Sequence, residues 1–140
     1  MAGAHLVAAM GLGLFLTPAG ISAALATEGG LAAYQGAWVL EGRDCAEVYS
    51  PTGKGTTFKK PIDIFAPAFV IAGRRLRTPG ASCQIKAVRP TGDRQLLVLD
   101  CANAVAANEV RTIMAPSNGI LKRYYSEQDT TGVGYRRCSR

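Results

Sequence analysis

From Gly36 onward the chain is cut into short apolar and β-branched runs by clusters of Gly, Pro, Asn and Asp. The runs are about 4 to 8 residues long, too short for ordinary helices and the usual length of strands. Ten segments read as strands: Ala37–Arg43, Ala46–Tyr49, Thr56–Lys60, Ala68–Ala72, Arg74–Thr78, Ser82–Arg89, Arg94–Ala102, Glu109–Met114, Ile120–Ser126 and Gly132–Cys138. Between them stand turn formers such as Ser50-Pro51-Thr52-Gly53, Pro79-Gly80, Pro90-Thr91-Gly92-Asp93 and Ser117-Asn118-Gly119. The pattern predicts an all-β fold, a single small antiparallel β-barrel or sandwich spanning residues 36–140. Only Val105–Met114 offers a helical alternative, through Ala106, Ala107 and Glu109, and its β-branched residues weigh against it. The core is expected from Trp38, Leu40, Ile64, Phe69, Ile71, Leu76, Ile85, Leu97, Leu99, Ile113, Leu121 and Val133.

The N-terminal part has a different character. All 16 basic and 10 acidic residues lie beyond Ala26. Leu6–Leu16 is apolar or glycine throughout, Thr17, Pro18 and Gly20 then interrupt any helix, and Ala24-Leu25-Ala26 supplies a small-x-small processing site. This is the layout of a secretory signal peptide over residues 1–26, with His5 and the α-amino group standing where Lys or Arg is usual. The rival, an uncleaved anchor, needs about 20 apolar residues, and the window is broken before that length. Processing leaves Thr27–Arg140, with a short Gly- and Ala-rich leader arm at 27–35 and no remaining transmembrane helix. The formal charge stays at +6. The expected location is periplasmic or secreted.

Export gives the cysteines their meaning. Cys45, Cys83, Cys101 and Cys138 form an even set with no close pair, which suits two disulfides rather than a tetrahedral thiolate site. Ser82–Arg89 and Arg94–Ala102 read as a hairpin. Facing Arg89 with Arg94 puts Cys83 opposite Asp100, and one bulge or a three-residue turn brings it opposite Cys101. Cys83–Cys101 and Cys45–Cys138 are therefore favoured, with the other two connectivities open.

Several function classes lose their residues. His5 is the only histidine and leaves with the leader, so imidazole-based catalysis and imidazole metal sites have no ligand. No metal and no cofactor is expected. Gly53-Lys54-Gly55-Thr56 lacks the upstream glycine of a phosphate loop and places Gly55 where the hydroxyl residue should stand. Asp44 with Glu47, or Asp93 with Asp100, would be the carboxylate pairs, but Asp44 and Asp93 fall in turns, where Asp caps its own backbone. The chain is read as not an enzyme, with Ser-Lys or carboxylate chemistry the residual case.

Binding residues are sought among the basic clusters. Arg74, Arg75 and Arg77 form one, and Lys122, Arg123 and Arg136 another, with Tyr125 and Tyr135 beside them. On a shared face they would hold phosphate or carboxylate groups. Strand alternation opposes this by sending neighbours to opposite faces. Nucleic acid is not the expected partner of an exported chain despite a pI near 9.4. Trp38 and Tyr34 are candidates for a ligand mouth, though a Trp in an opening strand more often plugs a core.

Gly36-Ala37-Trp38 as an opening strand resembles lipocalin-like barrels and the small exported bacterial metalloprotease inhibitors of similar shape. Together with Cys45, Ile71-Ala72-Gly73, Cys83-x-Ile85, Leu99-Asp100-Cys101 and Tyr135-x-Arg137-Cys138, it is also similar to a group of short exported proteobacterial four-cysteine proteins. The resemblance implies a small β-barrel and carries over no functional residue. The functional expectation is an exported, non-catalytic binding module of the envelope, a protein-binding or hydrolase-inhibitor domain that engages an envelope or secreted protein. A basic module for anionic envelope polymers or lipid head groups, and a barrel for a small apolar ligand, are the alternatives. An apolar cavity is the feature that would favour the last.

Overall fold

The computed structural model describes residues 30–51 and 57–138. The leader at 1–26 and the Gly53-Lys54-Gly55 loop lie outside them. Eight antiparallel strands follow one another around a closed barrel: β1 (Gly36–Leu40), β2 (Ala68–Ala72), β3 (Arg75–Arg77), β4 (Ser82–Thr91), β5 (Arg94–Ala102), β6 (Ala107–Ser117), β7 (Ile120–Tyr124) and β8 (Val133–Cys138). Each strand pairs with its sequence neighbours, and β8 closes on β1 through pairs such as Trp38 with Arg137 and Leu40 with Tyr135. The barrel is thus the member of the expected pair that forms, and closure leaves no sheet edge to protect.

Alternation decides which residues fill the lumen. Trp38, Phe69, Ile71, Leu76, Ile85, Leu97, Leu99, Met114, Leu121 and Tyr135 are buried in one cluster, with Leu40, Val88 and Val133 packed against it. Strands β1 and β2 are buried on both faces, which explains why they read as unbroken apolar runs. Their outer residues Ala37, Val39, Ala68 and Val70 pack under Val48, Tyr49 and Phe58 of the long β1–β2 connection. The Tyr49 hydroxyl lies 2.8 Å from the Trp38 carbonyl and 2.9 Å from that of Phe69, tying the connection to both strands. Burial raises the Tyr49 pKa well above that of free tyrosine.

Both disulfides form as favoured, Cys83–Cys101 across β4 and β5 and Cys45–Cys138 from the long connection to the end of β8. The hairpin reaches the first one through a tighter turn than Arg89 facing Arg94. Thr91 pairs with Arg94 around Gly92-Asp93, and Gly92 takes φ of 63°, as the first central position of a two-residue hairpin turn requires. A bulge between Ile85 and Ala87 then shifts the register so that Cys83 faces Cys101.

Other expectations are corrected. Ala46–Tyr49 is not a strand: Cys45–Val48 makes one helical turn, α1, because Asp44 caps it by accepting from the Ala46 N–H at 3.0 Å. Of the strand expected at Thr56–Lys60, Phe58 makes only an isolated bridge with Tyr49. The helical alternative at Val105–Met114 gives way to β6, in keeping with its β-branched residues. Ile64 is 60% exposed rather than core, since its segment runs along the barrel rim.

The leader arm is, from Leu31 on, the floor of the barrel. A 3₁₀ turn at Ala32–Tyr34 inserts Leu31 and Tyr34 into the lumen cluster. The Tyr34 hydroxyl donates to Gln95 Oε1 at 2.5 Å, and Trp38 Nε1–H donates to the Tyr34 carbonyl at 2.8 Å. The Gln35 side-chain amide bonds the Gly73 backbone in both directions, at 3.0 and 2.7 Å, locking the β2–β3 turn to the floor. Arg137 covers the outside of this end, its guanidinium 4.7 Å from the Trp38 ring.

Candidate functional site at the barrel mouth

With the floor sealed, the lumen opens at the other end. There the 64–67 end of the long β1–β2 connection and Thr78-Pro79 of the β3–β4 turn border a cavity of about 310 Å³, at the end of the barrel where the 103–106 turn and the 125–132 loop also lie. Its walls are the inward residues of the upper strands, chiefly Phe69, Leu76, Leu99 and Met114, which continue into the lumen cluster. The volume falls at the lower end of ordinary small-ligand sites, about 300–1,000 Å³. Phe69 links this space to the floor, its ring stacked 6.4 Å from Trp38 and edge-on to Tyr135 at 5.0 Å.

Few polar groups interrupt the apolar lining. They are Arg123, Thr112, Thr78 and Tyr135, with Arg111 bordering it from a position that faces outward beside Val98; among the described residues no carboxylate, thiol or imidazole lines the cavity. The register explains how three of them converge. Arg123 pairs with Met114 on one side and with Val133 on the other, both inward. Thr112 and Tyr135 are then its diagonal neighbours on the same face, within reach of long side chains. The Thr112 hydroxyl is buried and has no hydrogen-bond partner. Arg111 is engaged by Glu109 at 3.2 Å. Arg123 forms no ion pair among the described residues; its guanidinium sits 5.2 Å from the ring of Tyr125, which is exposed at the rim.

The rim next to Leu76 and Thr78 is built by residues 62–67. Asp63 makes a tight turn there, its carboxylate accepting from the Phe65 N–H at 3.0 Å and its carbonyl from the Ala66 N–H at 3.1 Å. The turn aims Phe65 outward at 86% exposure, with Ile62 and Ile64 also exposed beside it. Ile64 meets the β3–β4 turn, where a Cβ on Gly80 would lie 3.6 Å from the Ile64 carbonyl oxygen. On the opposite rim Asp129 accepts backbone N–H bonds from Tyr125, Thr131 and Gly132, each at 3.0 Å. These bonds, that from Gly132 foremost, lower its pKa below the ordinary carboxylate value and fix the β7–β8 loop.

The basic residues singled out from sequence do not share one surface. Arg75 and Arg77 flank the inward Leu76 and so face out on β3, and Arg74 donates to the Lys86 carbonyl at 2.7 Å. Lys122 and Arg136 face out on β7 and β8, four and three strands away around the barrel. Lys122 bonds the Thr131 carbonyl, and Arg136 grips the Arg43 carbonyl through Nη2 at 2.6 Å and Nε at 3.2 Å, anchoring the long connection. Arg123 and Tyr135 alone enter the mouth. The carboxylate pairs also part: Asp44 caps α1, Glu47 meets Arg43, Asp93 sits on a hairpin turn, and Asp100 meets Lys86. Thr112 and Met114 went unnoticed in the sequence. Their only signal is the alternation of β6, which the sequence leaves open to a helical reading.

Comparison with protein-family models, curated proteins and solved structures finds no significant match. Among the described residues, no helix is long and apolar enough to cross a membrane.

Proposed function

We propose that this chain is an exported binding barrel that holds a small, mainly apolar ligand in its open mouth, in the periplasm or outside the cell. The observation that carries the reading is the 310 Å³ cavity, apolar in its walls and continuous with a rigid, doubly cross-linked barrel. Its titratable inward groups, Arg123 and Tyr135, suit orientation of a ligand better than proton transfer. The two disulfides agree with an oxidising compartment. The small-ligand alternative thereby moves ahead of a protein partner, because the interior has both a volume and an entrance.

A neutral fluorescent probe small enough for the cavity, such as 1-naphthylamine, tests this directly. Saturable 1:1 binding to the oxidised protein supports the reading, provided that Leu99→Trp, which fills the cavity, abolishes it while the far-UV circular dichroism is kept. Absence of saturable binding refutes it.

A second reading has one observation in its favour. Phe65, Ile62 and Ile64 form an exposed apolar rim, a feature that often marks contact with another protein. Under that reading the chain docks on an envelope or secreted protein, and Phe65→Ser removes the contact without disturbing probe binding in the mouth.

A further inference from the structure

The cavity carries a charge asymmetry that an apolar ligand alone leaves unused. One guanidinium, that of Arg123, faces it, and among the described residues no carboxylate lines it. Arg111 lies on the outer face and is paired with Glu109, whereas Arg123 has no ion-pair partner among the described residues. Beside Arg123 on the same inward face stands the Thr112 hydroxyl, buried without a partner. A hydroxyl withdrawn from water with no hydrogen bond is unfavourable, and a guanidinium at the rim of an apolar mouth is left without a counter-charge. Both defects are repaired by a single group that accepts hydrogen bonds and carries one negative charge.

We infer that the mouth selects a single-tailed amphiphile with a carboxylate head, the head on Arg123 with the Thr112 hydroxyl turning about χ1 to reach it, and the tail against Phe69, Leu76, Leu99 and Met114. This rests on the ligand-binding reading above and gives it a substrate class. The planar guanidinium matches a carboxylate through two parallel hydrogen bonds. The tail is bounded by volume. At roughly 30 Å³ for each water-sized unit, 310 Å³ admits about ten non-hydrogen atoms, a medium-chain fatty acid or an aryl-alkanoic acid of like size. Longer tails would meet Leu97, Ile85 and the floor, which are tightly packed.

Displacement of the neutral probe separates the head from the tail. Decanoate, decanol and decyltrimethylammonium share one tail and differ in charge. At pH 7 decanoate is expected to displace the probe at a concentration about 10- to 100-fold below that needed for decanol, the range for a charge-assisted hydrogen bond. Decyltrimethylammonium is expected to be the weakest of the three. Arg123→Gln should bring decanoate to within about threefold of decanol and leave decanol unchanged. Thr112→Val keeps the shape of the side chain, folds, and should weaken decanoate alone. If decanoate and decanol displace equally, or if Arg123→Gln preserves the preference, the carboxylate assignment is overturned while the ligand-binding reading stands. If the probe itself does not bind, both fall.

Discussion

Residues 31–35 lie outside the strands, yet removing their packing is expected to cost about as much as losing part of the sheet. Tyr34 has no exposed surface, and Leu31 is almost as fully covered. In Tyr34→Ala the lost ring and the space left behind cost about 3–5 kcal/mol, as for other buried aromatic truncations. Gln95 then loses the donor of a 2.5 Å hydrogen bond, which adds about 1 kcal/mol if water does not replace it. Tyr34→Phe keeps the packing and forfeits only the hydroxyl, so it should cost about 1–2 kcal/mol. Against a typical domain stability of about 5–15 kcal/mol, the alanine variant stands near unfolding and the phenylalanine variant does not. Urea titration of the oxidised protein measures both. The emission of Trp38, the only tryptophan, reports the transition from directly above the floor. A Tyr34→Ala variant within about 1 kcal/mol of the parent protein would refute the argument. Residues 27–35 would then be the dispensable leader arm that composition suggests.

Three further outcomes are expected. Stability should be level up to about pH 10 and fall as pH rises toward 12. Tyr34 has its pKa pushed up to about 12 by burial and that of Tyr49 is raised likewise, and a group whose folded pKa is raised loses its contribution as pH passes from the unfolded to the folded value; circular dichroism at a fixed urea concentration follows this, and Tyr34→Phe should make the fall shallower, leaving the part due to Tyr49. Replacing both cysteines of the Cys45–Cys138 pair should cost about 4.6 kcal/mol and of the Cys83–Cys101 pair about 3.2 kcal/mol on chain entropy alone, given separations of 93 and 18 residues. Denaturant melts of the two double-alanine variants give the comparison, and stability unchanged in either contradicts the estimate. Gly132→Ala should destabilise by about 1–3 kcal/mol, since φ is 66° and a Cβ would lie 2.9 Å from the Tyr124 ring; a thermal shift of less than 1 °C would show that the loop yields instead.

Fold class was legible because period-two alternation and turn residues act locally. Strands β4 and β5 show both plainly, with Cys83 and Ile85 inside, Ser82, Gln84 and Lys86 outside, and Gly92 at the bend. That local pattern was enough to bring out both cysteine pairs. What it could not convey was the action of distant parts on each other. Ala46–Tyr49 has strand-like composition, but the Asp44 cap turns it into a helix, and the Cys45–Cys138 bond holds that helix against the end of β8. Tyr34 was weighed with Trp38 for a ligand mouth, and only its bonds with Gln95, 61 residues away, and Trp38 reveal that it belongs to the floor at the other end. The mouth was half visible. Arg123 was singled out for its charge, but its inward direction follows from Leu121 two residues earlier on the same strand. Thr112 is an ordinary strand residue until closure leaves its hydroxyl without a partner.

The account stands or falls on whether a ligand enters the mouth. The most direct measurement is a two-dimensional amide NMR titration of the isotopically labelled, oxidised protein with the neutral naphthylamine probe. Saturable shifts are expected at Leu76, Leu99, Thr112, Met114 and Arg123, with the floor turns at Gly73-Arg74 and Gly92-Asp93 unmoved. Shifts confined to the outer basic walls around Arg75 or Lys122, or no shifts at a saturating probe concentration, would contradict it.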